Sequence, residues 1–338
     1  GQPKGAVLTQ AAVHWNALNS EVMHDLSRGD HVLTTLPFFH VGGLNSQTLP
    51  ALREGDTVSI APPFDASGFV RQVELERPTL TVLVPTQMRE LMQLPNWFSA
   101  DLSSLKAVAT GSTMVGKELL RAWANKGLPV IQIYGCTESC PIAVHQIVAD
   151  CHGGQQGAAG HPALYTEVRI TDRHGRAVAQ GLEGEICLRG PHLMSMYWED
   201  EEATESGLRD GWLATGDLGY QDEQGRLHVV GRIKRLIISG GENVHPAEVE
   251  EVLERHPDIA EAAVVGVADP RWDEVPAALV VTCDGGELDR AAIRAHLNQN
   301  LGRFKHPQRV LQVRALPHTP LGKIDYPKVS ALLNADAG

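Results

Sequence analysis

Between residues 6 and 135 short apolar runs alternate with longer amphipathic stretches. LTVLVP (80–85), AVATGS (107–112) and PVIQIYG (129–135) read as buried strands, and KELLRAWANKG (117–127) as an amphipathic helix between two of them. Strand–helix–strand order at this spacing predicts a parallel sheet covered by helices. From about 157 to 233 the pattern changes. YTEVRITD, GEICLRG and GRLHVVGR alternate apolar and polar residues, and the Gly-containing turns RHGR and EQGR separate them. That alternation predicts a small antiparallel β subdomain. Beyond GRIKRLIISGGENV, PAEVEEVLERHPDI has Pro246 at a helix start with Val249, Val252 and Leu253 at helical spacing. AEAAVVGVAD and PAALVVTC then read as strands, ELDRAAIRAHLNQNLGRF as a helix and RVLQVRALP as a strand. The expected architecture is α/β: residues 1–156 a parallel sheet with helices, 157–233 β-rich, and 234–338 a small α+β domain of normal size.

The totals narrow the function only a little. The 338 residues are 43% hydrophobic and 21% charged, enough for two or three packed domains. No window approaches the roughly 20 apolar residues of a membrane span, so no span is expected and a cytoplasmic location is the default. A net charge of −12 without a long Lys/Arg block argues against a nucleic-acid partner. It leaves a nucleotide substrate open, since that needs only local donors. Five cysteines do not form a disulfide framework at this length. Cys136, Cys140, His145, Cys151 and His152 lie close together, but their spacing lacks the paired knuckles of a structural zinc site.

Five short stretches carry candidate chemistry, each with a plainer reading beside it. GQPKG (1–5) offers glycine N–H groups and Lys4 to a phosphate, or is a surface turn. In IQIYGCTESC (131–140) a strand ends at Tyr134-Gly135, at the carboxyl edge where parallel sheets bind ligands. There Tyr134 suits a purine face, Thr137 a phosphate and Glu138 a Mg²⁺ ion, although a capping threonine explains the turn equally well. TGD (215–217) sets Asp217 at an expected tight turn, able to accept from two vicinal hydroxyls, as ordinary Asp turns do without a ligand. In GRIKRLIISGGENVHPAEVE (231–250) Arg232 suits ribose or phosphate and Gly240-Gly241 permits close backbone approach; a solvated hairpin is the alternative. Lys323, in ALPHTPLGKIDYPKV (315–329), is either a catalytic cation or a surface charge.

Taken in order, GQPKG, PFFHVGG, YGCTES, GEICLRG, TGD, GRIKRLIISGGENVHPAEVE and PHTPLGKID resemble the adenylate-forming superfamily of acyl-CoA synthetases, carrier-protein adenylation domains and firefly-type luciferases. The resemblance runs from the first residue to about Lys328. It implies ATP, Mg²⁺ and CoA as cofactors and co-substrates, and a carboxylic acid substrate. By that resemblance Lys323, Thr137 and Glu138 are catalytic, with Glu138 holding Mg²⁺. Lys4, Tyr134, Gly135, Asp217 and Arg232 bind the nucleotide. Lys234 is the hinge on which a mobile C-terminal lid domain turns. His40, Val41, Gly42 and Gly43 line the acyl pocket, and Gly240, Gly241, Glu242 and Asn243 face the thiol tunnel. Cys136 is a bystander.

The resemblance also implies that residues 1–233 are the C-terminal part of a larger adenylation domain, so roughly a domain's worth of chain is expected upstream. A nick in the phosphate loop, leaving the N-terminal segment as a separate chain, is the expectation, with a deliberately shortened chain as the alternative, and this chain alone is expected to be incomplete and inactive. The pattern departs from the resemblance at Arg235, where many relatives are acidic, and at TGSTMV (110–115). The implied activity is an AMP-forming acid–thiol ligase, with a medium-chain fatty or aryl acid favoured by the apolar Phe38, Phe39, Val41 and Leu44. The alternatives are a module that loads a carrier protein and a non-enzymatic nucleotide-binding fragment. Arg303, Lys305 and Arg309 offer a basic cluster to the phosphates of CoA, or form a solvated helix end.

Overall fold

The computed structural model describes residues 4–111, 115–148, 151, 157–319 and 323–335. The chain divides into two compact units, residues 1–215 with 219–229, and residues 216–218 with 230–338.

The first unit is built on a seven-stranded sheet in the order Thr57–Ile60, His31–Thr34, Leu80–Leu83, Ala107–Thr110, Val130–Tyr134, Val144–His145, His161–Pro162. The first five strands are parallel and the last two antiparallel. The central strands read as continuous apolar runs because both of their faces are covered. Leu33, Leu83, Val108 and Val130 point to one face, where they meet Phe69, Val73, Met88, Leu91 and Trp123 from helices Ala66–Glu76, Pro85–Met92 and Lys117–Asn125. Val32, Val82, Ala107, Ala109 and Ile131 point to the other, with Met23 of helix Gln10–His24. Pro85, expected to end a strand, instead starts a helix, where its missing N–H costs nothing.

The β-rich part of the chain is a five-stranded sheet, antiparallel where Gly184–Arg189 meets Glu167–Thr171 and where Leu208–Arg209 meets Trp212–Gln221. Its path runs Leu208–Arg209, Trp212–Gln221, Gly184–Arg189, Glu167–Thr171, and Leu227–Arg232 also pairs with Trp212–Gln221. Two of its hairpins share one turn chemistry. The Asp172 carboxylate accepts from the His174 and Arg176 backbone N–H groups, and Asp222 from those of Gln224 and Arg226. Gly175 and Gly225 both stand at φ 76°.

The strand Trp212–Gln221 corrects one expectation. Thr215-Gly216-Asp217 is not a turn but the middle of that strand, with Gly216 kinked to φ 71°. Turn-type residues occur here in extended backbone because sheet pairing on both sides overrides their local preference.

The second unit is a sheet of Glu242–Val244, Ile237–Ser239, Asp273–Thr282 and Ile259–Asp269, with Arg309–Gln312 parallel to Asp273–Thr282. Alternation again sorts the faces. Ala262, Val264, Ala278 and Val280 meet helices Pro246–Glu254 and Arg290–Asn300 through Val249, Leu253, Ile293 and Leu297. Ala263, Val267, Ala277 and Leu279 meet Leu316, Val329 and Leu333, the last two on helix Tyr326–Ala335. No helix among the described residues is long and apolar enough to cross a membrane.

Candidate functional site

Strand Val130–Tyr134 delivers Tyr134 to the edge of the parallel sheet, where the chain enters the 3₁₀ turn Thr137–Ser139. Tyr134 donates its hydroxyl to Thr215 Oγ1 at 3.3 Å, and Thr215 in turn donates to the Ile186 carbonyl at 2.7 Å. Gly135 is required by packing, since a Cβ there would overlap the Pro141 carbonyl oxygen. Ser139 ties the turn together: its Oγ accepts from the Cys136 N–H at 2.9 Å and lies 3.0 Å from the Pro141 carbonyl oxygen. Thr137 is exposed and Glu138 half-buried.

Glu138 is the focus of the first unit. Its Oε1 accepts the Tyr197 hydroxyl at 2.6 Å, and its carbonyl accepts the Met194 N–H at 2.7 Å. Burial first, and the bond to Glu138 second, push the Tyr197 phenol above its ordinary range. The Lys4 ammonium lies 5.0 Å from the Tyr197 ring centroid, within cation–π reach. Lys4 is held there because Ala6–Val7 pairs antiparallel with Met196–Tyr197. Tyr197 therefore joins two residues 134 positions apart in the chain, Lys4 and Glu138. Sequence reasoning did not single it out, since an aromatic residue in MSMYWED carries no local signal. Burial, then the Glu138 charge, pushes the Cys136 thiol up to about 12, so it stays protonated and is no nucleophile.

A second set of polar contacts fixes the His40–Gly43 segment. His40 Nδ1 accepts the Gly42 N–H at 3.0 Å, capping the turn Val41–Gly43. A Cβ on Gly43 would overlap the carbonyl oxygens of Leu36 and Pro37. Phe38 and Phe39 are exposed beside it. The π-turn Leu44–Thr48 follows, and its polar side chains are buried. Asn16 of the first helix bridges this turn to the segment after Glu138: its Nδ2 donates to the Asn45 carbonyl at 2.8 Å, and its Oδ1 accepts the Ile142 N–H at 3.0 Å. Asn45 Nδ2 reaches Cys140 Sγ at 3.3 Å. His40–Gly43 and Thr137–Glu138 are thus set on one buried hydrogen-bonded frame.

The second unit gathers a different group. Arg232 Nε donates to Asp217 Oδ1 at 2.7 Å, and the carboxylate is buried. Lys323 stands beside the antiparallel bridge of His318 with Ile324, and the Thr319 N–H donates to the Lys323 carbonyl at 2.7 Å. Its ammonium is pushed below the ordinary lysine value, by loss of solvent first and by the Arg232 charge second. Asp217 and Arg232 thus pair from positions 15 residues apart, and the Arg232 charge is felt at Lys323. Lys234 is exposed on the 3₁₀ turn Ile233–Arg235. Gly240 and Gly241 form the tip of the hairpin joining Ile237–Ser239 to Glu242–Val244, at φ 58° and 87°. A Cβ on Gly240 would press on the Trp272 ring at 2.5 Å, so only glycine fits there. Glu242 and Asn243 are exposed on the return strand. Of the basic cluster, Lys305 is engaged by both oxygens of Glu248 at 2.7 Å.

Arg235 also acquires a defined environment. It donates to Glu250 Oε1 at 2.7 Å and stacks on the Tyr326 ring at 3.4 Å from the centroid. Among the described residues no group of three or more His, Cys, Asp or Glu could hold a metal ion. His152, residues 1–3 and residues 112–114 of the TGSTMV stretch lie outside the described residues.

Comparison with known proteins follows the same division. The family model described as "AMP-binding enzyme" matches residues 1–198, and that of the "AMP-binding enzyme C-terminal domain" matches residues 248–323. The chain is 49% identical over 324 residues to an indoleacetate–CoA ligase of Aromatoleum aromaticum, covering 96% of this chain and 63% of that protein. It is 41% identical to a feruloyl-CoA synthase of Amycolatopsis sp., covering 96% of this chain and 66% of that protein. The structure of o-succinylbenzoate coenzyme A synthetase from Bacillus subtilis, in complex with ATP and magnesium ion, superposes with a TM-score of 0.88 at 33% identity. That match covers 96% of this chain and 66% of that one. The chain thus spans just under two thirds of the length of the relatives it matches.

Proposed function

The chain belongs to the family of AMP-binding enzymes, and we propose that the protein it comes from is an ATP-dependent ligase joining an aryl carboxylic acid to coenzyme A through an acyl adenylate. The observation that carries this reading is the meeting of Lys4 and Glu138 on Tyr197: a cation and an oriented carboxylate at the carboxyl edge of a parallel sheet. That is where such sheets take nucleotides.

In the first half-reaction a substrate carboxylate oxygen attacks the α-phosphorus of ATP in line, forming the mixed anhydride and expelling pyrophosphate. In the second, the sulfur of CoA attacks the acyl carbonyl, the thiol proton passes to solvent, and AMP leaves with the bonding pair. Chemistry of this kind is served by positioning and charge stabilisation. Lys4 and the Thr137 hydroxyl would hold phosphate oxygens, and Tyr134 would lie beside the purine. Asp217, oriented by Arg232, would accept the ribose hydroxyls. Lys323 would bridge the attacking carboxylate and the α-phosphate with its ammonium group. Glu138 fits Mg²⁺, which is commonly held by one or two carboxylates plus substrate phosphates and supplies charge neutralisation there. Lys234, exposed on a short turn near the start of the second unit, would serve as the hinge between half-reactions. Gly240 to Asn243 would then line the path of the thiol.

The acid is assigned to the aryl class on two grounds. The relatives reported above are named for indoleacetate and ferulate, both aromatic carboxylates. In this chain the segment His40–Gly43 lies beside the exposed rings of Phe38 and Phe39. The test is ATP–pyrophosphate exchange by the full-length protein over arylacetic, cinnamic, medium-chain fatty and amino acids, followed by thioester formation with free CoA. Exchange with aryl acids and a CoA thioester is expected. Exchange with amino acids alone, or none with any acid, would overturn the reading.

A further inference from the structure

We infer that Arg235, Glu250 and Tyr326 form a positioning cluster that fixes the backbone at Lys323 to the segment following Lys234, and so governs acyl-adenylate formation without taking part in acyl transfer. The inference rests on the ligase reading above.

The cluster converges on one atom. Glu250 Oε1 accepts from Arg235 at 2.7 Å, from the Val264 N–H at 2.8 Å and from the Tyr326 hydroxyl at 3.2 Å. The Arg235 guanidinium also lies on the Tyr326 ring, 3.4 Å from its centroid. Four elements meet here: the turn Ile233–Arg235, helix Pro246–Glu254, strand Ile259–Asp269 and helix Tyr326–Ala335. The Arg235 and Glu250 side chains retain 27% and 13% of their exposure, so the pair is sheltered and differs from the weak ion pairs of a protein surface. Removing one partner would leave the other charged and poorly solvated.

Lys323 stands three residues before Tyr326. The intervening chain has little freedom. Ile324 forms a bridge with His318 and packs against the core containing Val329 and Leu333. The Asp325 N–H donates to the Pro317 carbonyl at 2.8 Å. Tyr326 thus anchors the backbone that carries Lys323, and Arg235 anchors Tyr326. A reacting cation is sensitive to such anchoring, because a displacement of about 1 Å can cost about 100-fold in rate. Since Lys323 is assigned to the adenylation step alone, loss of the anchor should slow that step and spare the other. A cluster that merely stabilised the fold would not divide the two half-reactions.

The experiment uses the full-length protein with an acid that supports pyrophosphate exchange, and compares wild type with Tyr326→Leu, Tyr326→Phe and Glu250→Gln. Two rates are read: ATP–pyrophosphate exchange, and CoA thioester formation from chemically supplied acyl adenylate. Tyr326→Leu is expected to lower the kcat of exchange about 10–100-fold, with thioester formation within about 2-fold of wild type. Tyr326→Phe, which keeps the ring under Arg235, is expected to recover most of the loss. Should Tyr326→Leu not fold, Glu250→Gln carries the same comparison. Equal losses in both rates, or unchanged exchange in a folded Tyr326→Leu, would overturn the cluster's role. Wild type without exchange for any acid would instead remove the ligase reading, and the inference with it.

Discussion

Two buried histidines make the stability of the first unit depend on pH in a calculable way. His24 is 1% exposed and His192 0% exposed, and burial pulls each imidazole down to about 4 from its ordinary value. The folded state therefore binds protons less readily than the unfolded chain. The stability they lend is whole above pH 6.5, falls as the pH drops from about 6.5 towards 4, and is flat below that. Between pH 7 and pH 5 each histidine should cost about 2 kcal/mol, so the pair removes about 4 kcal/mol from a total that is typically about 5–15. The strongly lowered carboxylates do not blur this window. Asp101 and Asp222, both held at about 2, act only below their ordinary value of 3.8. The assay is urea unfolding at pH 7 and pH 5, followed by tryptophan fluorescence. Five of the six tryptophans (Trp15, Trp97, Trp123, Trp198 and Trp212) share a unit with both histidines. Wild type should lose about 4 kcal/mol between the two pH values, and the His24→Gln/His192→Gln double variant well under half of that. Equal losses in the two proteins would refute the reasoning, whatever their stabilities at pH 7.

Three further outcomes are expected. Gly43→Ala should cost about 1–3 kcal/mol, because its Cβ meets backbone oxygens that cannot swing aside; an unchanged urea midpoint would contradict the packing. In the native protein at pH 8, iodoacetamide should label the exposed Cys283 and leave Cys136 and Cys140 unmodified, since burial holds those two thiols at about 12 and 11. Rapid labelling of Cys136, read by peptide mass spectrometry, would count against its burial. Lys323→Ala in the full-length protein should lower pyrophosphate exchange about 10²–10³-fold and leave thioester formation from supplied acyl adenylate nearly intact, an assignment that exchange at the wild-type rate would end.

The parts of the fold that could be read from the chain are those whose burial is two-sided or regularly alternating. Leu80–Leu83, Ala107–Thr110 and Val130–Tyr134 announce themselves because a parallel strand covered on both faces has no polar positions to confuse the pattern. The residues that escaped notice are polar or aromatic groups whose partners lie far away. Asn16 and Asn19 look like the wet face of helix Gln10–His24, yet they are buried because Ile142 and Thr166 supply hydrogen bonds 123 to 147 residues on. Helix Tyr326–Ala335 follows a Pro/Gly-rich stretch and has only a weakly segregated apolar face, so it reads as loop until Leu316 and the sheet are there to receive it. Of the candidate site, Glu138 and Lys4 were legible as residues of the right chemistry, whereas Tyr197, which joins them, depends on the pairing of Ala6 with its own backbone.

The kink at Gly216 has a practical outcome for anyone dividing the molecule. The second unit draws three of its residues, Gly216 to Leu218, from the middle of a strand whose two ends belong to the first. No single cut separates the two bodies cleanly. A fragment started at Val230 would carry Arg232 and Lys323 but leave Asp217 behind, so two cations would face each other with the neutralising carboxylate gone. Such a fragment would attract anions more strongly than the undivided chain does, and its behaviour in isolation would be a poor guide to the lysine it was made to study.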